Sequence, residues 1–154
     1  MKIKNVWKNV EEPLELHTDD RGSIVDIFYN DNIEHVAVVD SEPNTLRGNH
    51  YHKVSTQHML MTKGSLEYWY KPVDSDEPAE MVVAKVGDIV STPPNEIHAL
   101  VIREDGNQFV VFSEGVRGGM DYESDTFRVP SIVPNDKIPS QHWDVGEPTS
   151  KEVT

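Results

Sequence analysis

The stretch Arg47-Gly48-Asn49-His50-Tyr51-His52-Lys53 decides how this chain is read. Two histidines two positions apart project to the same side when the backbone is extended, so their imidazoles can meet one ligand. Gln57 comes five residues after His52 and Gly64 seven after that, giving H-x-H-x4-Q-x6-G. Further along, Gly87 to His98 reads G-x5-P-x-N-x2-H, with Pro93 and Asn95 at the marked places.

Around these blocks, ten prolines and nine glycines leave few stretches long enough for a helix and many of strand length. Segments rich in β-branched, aromatic or alternating apolar residues predict strands over 22–29, 35–40, 58–63, 66–71, 81–86, 89–92, 97–102 and 108–114. Lys63-Gly64-Ser65, Val86-Gly87-Asp88 and Glu104-Asp105-Gly106-Asn107 each offer a residue tolerant of positive φ, so antiparallel hairpins are expected there. The fold class is all-β, a closed or sandwiched sheet over residues 1–130. An extended, proline-punctuated arm follows over 131–154, with Trp143 as its natural anchor.

A length of 154 residues suits one domain. Fourteen Lys and Arg against 27 Asp and Glu give a formal charge of −13, which repels phosphate backbones and anionic lipid and argues against nucleic-acid and membrane partners. With no cysteine, disulfides and thiolate chemistry are excluded, and any metal must use N and O ligands. No segment approaches the roughly 20 apolar residues of a membrane span, and residues 1–10 lack an apolar run of signal length, so a cytoplasmic protein is expected. Val6, Trp7 and Val10 could add to a partner's sheet edge, and a homodimer is expected on that ground.

The two histidine blocks resemble the paired motifs of the cupin superfamily. That resemblance implies a double-stranded β-helix, or jelly-roll barrel, with His50, His52, Gln57 and His98 aimed inward. The chain departs from the usual pattern at Asn95, where cupins have glycine, and at Gln57, where they have a carboxylate. Asn tolerates positive φ, so the first departure leaves the turn intact. The second removes an anionic ligand. Three imidazoles and an amide oxygen would hold zinc, manganese, iron or nickel with positions left open. Used without metal, an imidazole removes a proton next to a sugar carbonyl.

A closer likeness is to cupin enzymes of nucleotide-linked deoxysugars. Asp20-Arg21-Gly22 and Arg47-Gly48-Asn49-His50 resemble motifs of dTDP-dehydrorhamnose epimerases, where arginine meets phosphate and histidine is the base. Lys53 and Gln57 stand as in the related sugar-nucleotide ketoisomerases, and Asp125-Thr126-Phe127 resembles a late segment of the cupin domain of capsular-polysaccharide enzymes, which binds a metal. The resemblance implies an isomerase or epimerase of a nucleotide-linked keto-deoxysugar. His50 and His52 would be its acid/base groups, with Arg21, Arg47 and Lys53 binding the substrate. Tyr70 is the candidate proton donor, although Leu66, Tyr68 and Tyr70 sharing one face also reads as core packing. Two other readings stay open: a metal-dependent cupin such as a ferrous oxygenase, and a non-catalytic sugar- or metabolite-binding module. His58 should face away from the site, and Met59, Met61 and Met81 should line the barrel.

Overall fold

The computed structural model describes residues 1–115 and 124–139. The strands are β1 (Lys2–Asn5), β2 (Leu16–Asp19), β3 (Gly22–Val25), β4 (His35–Ser41), β5 (Thr45–Tyr51), β6 (Thr56–Pro72), β7 (Glu80–Lys85), β8 (Asp88–Thr92), β9 (Glu96–Ile102), β10 (Asn107–Glu114) and β11 (Phe127–Arg128). All but β2 and β3, which pair with each other, form two antiparallel layers, β1-β8-β6-β10-β4 and β7-β6-β9-β5-β11, with β6 hydrogen-bonded in both. This is the expected jelly-roll barrel. Among the described residues, no helix is long and apolar enough to cross a membrane.

The continuous β6 corrects the predicted pair of strands over 58–63 and 66–71. Lys63-Gly64-Ser65 does not turn the chain back; it bends one strand as it passes from the first layer to the second. Gly64 has φ +68°, and a Cβ there would collide with the carbonyl oxygen of Gly106. The other two expected hairpins are also absent as hairpins. β7 pairs with β6 while β8 pairs with β1 and β6, and β9 pairs with β5 and β6 while β10 pairs with β4 and β6. At Gly87 and Gly106 the chain therefore crosses between layers. Consecutive strands pair only at β2–β3 and β6–β7 among the described residues. The strand predicted over 22–29 ends at Val25. The N-terminal segment adds to β8 of its own chain through Lys2–Asn5, with Val6 buried and Trp7 largely exposed.

Inside the barrel, Met59, Met61, Leu66, Tyr68, Val90, Leu100, Ile102 and Phe109 pack as one cluster. Met81, expected among them, is 41% exposed, because its place on β7 puts it on the outer side. The alternation of β9 sends Glu96, His98, Leu100 and Ile102 inward. Ala99 and Val101 point outward and meet Trp69, Ile132, Val133 and Ile138. The described part of the proposed arm thus covers the outer face of the second layer, while Trp143 lies outside the described residues.

A side chain at position 64 would meet both an unfavourable φ and the Gly106 carbonyl. Gly64→Ala is therefore expected to lower stability by about 1–3 kcal/mol in chemical denaturation.

Candidate active site

The histidine-bearing stretch is built by a bulge. Between Gly48 and His50 the register of β5 against β9 slips by one residue, with Gly48 at φ +92° and Asn49 at φ +59°. A Cβ on Gly48 would lie 2.8 Å from the carbonyl oxygen of His98, so glycine permits β5 to lie this close to β9. The result sets His50 directly across from His98. Asn49, in the left-handed region, turns its own groups outward: its carbonyl accepts from Val129 N–H at 2.9 Å and its Oδ1 from Ile132 N–H at 2.9 Å.

His50, His52 and His98 are 0%, 1% and 4% exposed. Their ring centroids lie 5.0 Å (50–52), 4.7 Å (50–98) and 5.5 Å (52–98) apart. One ring nitrogen from each lies within 4.8 Å of the others. The Nδ1 of His52 lies 2.9 Å from the Asp125 carbonyl oxygen, and that of His98 lies 3.1 Å from the Glu96 carbonyl oxygen. A carbonyl only accepts, so both Nδ1 atoms carry the proton and both Nε2 atoms present lone pairs. Neither ring nitrogen of His50 has a hydrogen-bond partner among the described residues.

Gln57 is buried on β6, across from Thr92 of β8 and Ser113 of β10. Tyr68 lies nearly parallel to His98 with centroids 6.1 Å apart; its hydroxyl meets Thr92 Oγ1 and donates to Glu96 at 3.0 Å. Tyr70 is the cross-strand neighbour of His98. Burial raises its pKa, assisted by Glu80 and Glu96.

Burial dominates the electrostatics of the three histidines. It holds His50 well below the usual imidazole range, with further lowering from His98, His52 and Arg128. His98 is pushed down to about 3 by burial and by His52. Burial also lowers His52, opposed by its bond to Asp125 and by Gln57. The rings are therefore neutral at physiological pH.

The predicted cations occupy different surroundings. Arg47 is half-buried, donating from Nε to Ser41 Oγ and from an amino group to the Asp40 carbonyl, both at 3.0 Å. Arg21 sits exposed at the β2–β3 turn and pairs with Asp19 at 2.6 Å. The Lys53 ammonium lies 4.3 Å from the centre of the Phe127 ring. Sequence reasoning missed Arg128, which faces His50 across β11 and β5. It noticed Asp125 only as part of a resemblance. The carboxylate is buried and accepts from the backbone and hydroxyl of the loop after His52; although its burial acts the other way, these bonds lower its pKa. His58 faces outward as expected, between Ser91 Oγ and Glu114, each at 2.6 Å.

Residues 17–115 match the family described as the polysaccharide biosynthesis C-terminal domain, and the chain belongs to that family. No curated protein matches the chain. Among solved structures, it is similar to a TDP-quinovose 3,4-ketoisomerase from Campylobacter jejuni, with 20% identity, a TM-score of 0.64, and 83% and 92% of the two chains covered. It is also similar to a 3,4-ketoisomerase from Helicobacter canadensis, at 18% identity and TM-score 0.63 over 83% and 90%. A dTDP-6-deoxy-D-glucose-3,5-epimerase from Legionella pneumophila shares 13% identity and a TM-score of 0.59 over 83% and 78%. The fold these neighbours share with the chain is the RmlC-like cupin jelly roll.

Because the folded state resists protonating these histidines and the unfolded chain does not, protons stabilise the unfolded state once pH drops below about 6.5. Stability is expected to fall with pH from there toward the His98 value of about 3. His98→Gln should flatten that slope in denaturation series between pH 7 and 4, by up to about tenfold in the folding equilibrium per pH unit.

Proposed function

We propose that the protein is an isomerase or epimerase acting on a nucleotide-linked keto-deoxysugar by histidine-mediated proton transfer. The observation that carries this reading is the buried, neutral cluster of His50, His52 and His98. A neutral imidazole is the form that accepts a proton, and a site closed to water favours removing one from carbon beside a keto group.

His50 is the base in this reading, since its ring nitrogens are free of other protein hydrogen bonds among the described residues. His52 is the second acid/base group. Tyr70, held protonated beside the His98 strand, returns a proton. Arg47, Arg21 and Lys53 meet the diphosphate, and Arg128 adds positive charge beside His50. The chain's membership of a polysaccharide-biosynthesis family, and its likeness to structures that act on dTDP-linked sugars, support the substrate class.

A second reading is favoured by the same three nitrogens. The donor set fits a divalent ion, because two Nε2 lone pairs are fixed by carbonyls behind them and His50 has uncommitted nitrogens. His50, His52 and His98 would hold the ion with Gln57 beside them. When bound, it would act as a Lewis acid on a substrate oxygen.

Incubation with a dTDP-linked 4-keto-6-deoxysugar in deuterated water is expected to place deuterium on carbon next to the keto group. His50→Asn should reduce the exchange by about 10²–10⁴-fold, and Tyr70→Phe should slow turnover. No exchange in the wild type would count against the isomerase. Exchange that chelator abolishes and added metal restores would favour the metal form.

We also propose a cytoplasmic homodimer as the working form. The β2–β3 hairpin pairs with no other described strand and exposes Leu16 and Ile24. An isolated two-stranded hairpin is marginal in water, and a second copy would cover it. Light scattering is expected to give twice the chain mass; a monomer would remove this part of the proposal.

A further inference from the structure

His52 is not held by a strand. β5 ends at Tyr51 and β6 begins at Thr56, so the loop between them has no sheet ladder to fix it. The His52 carbonyl accepts from Asn95 N–H at 2.7 Å, and the groups that follow it converge on one carboxylate from far along the chain. Asp125 Oδ1 accepts from Lys53 N–H at 2.9 Å and from Val54 N–H at 3.2 Å. Oδ2 accepts from Val54 N–H at 3.2 Å, Ser55 N–H at 2.9 Å and the Ser55 hydroxyl at 2.8 Å. Three consecutive N–H groups turned toward one anion form a nest. The same residue's backbone carbonyl accepts from His52 Nδ1.

We propose that Asp125 is the positioning residue of the site: its carboxylate clamps the loop that carries His52, and its carbonyl fixes that ring in the tautomer with an unprotonated Nε2. The division of labour has a chemical reason. A carboxylate bonded straight to Nδ1 would favour a charged ring, whereas a carbonyl orients the ring and leaves it neutral. The carboxylate is used where several donors must be gathered, which a neutral acceptor does poorly. Asparagine could not replace it, because its NH₂ would face N–H donors. As a statement about catalysis this rests on the proposed reaction. As a statement about the His52 ring it does not, so the two can be tested apart.

The test is long-range ¹H–¹⁵N correlation spectroscopy of the histidine rings at neutral pH, in the full chain treated with chelator. The wild type is expected to show His52 and His98 both with protonated Nδ1 and bare Nε2. His98 is the internal reference, since its Nδ1 donates to the Glu96 carbonyl and not to Asp125. In Asp125→Ala, His52 should become a mixture of tautomers while His98 keeps its own. A folded Asp125→Ala with His52 unchanged overturns the proposal. So does a parallel change in both rings, which would mean that Asp125 holds the fold and not the ring. Should Asp125→Ala fail to fold, Asp125→Asn decides by the same comparison. With an active wild type, the variant should lose about 10–100-fold in kcat with little change in KM. A wild type inactive on ketosugars whose His52 still loses its tautomer in the variant would sink the reaction and leave the role of Asp125 standing.

Discussion

β6 is the strand on which the two layers depend, because it is hydrogen-bonded in both. Its first half lies between β8 and β10, and its second half between β7 and β9. The bend at Gly64 takes the chain from one layer to the other without ending the strand. It requires a backbone with positive φ and no side chain against the Gly106 carbonyl. Gln57 enters the site from the first half, while Tyr68 and Tyr70 come from the second. One strand thus contributes to the surroundings of the histidine cluster from both layers.

The site itself brings together groups that would repel one another if charged. Three imidazoles within one buried cluster, with an arginine beside them, are tolerable only as neutral rings. Desolvation ensures that state, and backbone carbonyls behind His52 and His98 decide which nitrogen faces inward. The same arrangement would suit either a proton-transfer base or a metal-ligand set, since both need an available lone pair. What separates the two uses is occupancy and not the placement of the protein groups.

How much of this could be read in the sequence differs from residue to residue. His50, His52, Gln57 and His98 were legible because strand alternation and turn residues are local, and Asn95 takes the positive φ, 64°, that its motif position requires. Gly64 was legible as a special backbone position but not as a bend. A glycine in a hairpin and a glycine where a strand changes layer look alike until the pairing partners are known, and those lie elsewhere in the chain. The same non-locality hid the crossings at Gly87 and Gly106. Arg21 shows the converse: its motif was recognisable, while its pairing with Asp19 at an exposed turn was not. Asp125 escaped because its partners, Lys53 to Ser55, are about 70 residues earlier, and no periodicity links a carboxylate to a loop at that range.

All seven residues of β9 are buried, two of them, Ala99 and Val101, beneath Trp69 and the segment that ends the described chain. A strand covered on both faces opens to solvent only when the covering layers leave it, so its amides should be among the slowest to exchange. His98 therefore sits on a rigid floor, whereas His52 lies beyond the end of its strand, where Asn95 N–H and Asp125 together hold the chain. The cluster thus joins an imidazole carried by a doubly covered strand to one whose place depends on contacts with two distant residues, Asn95 and Asp125.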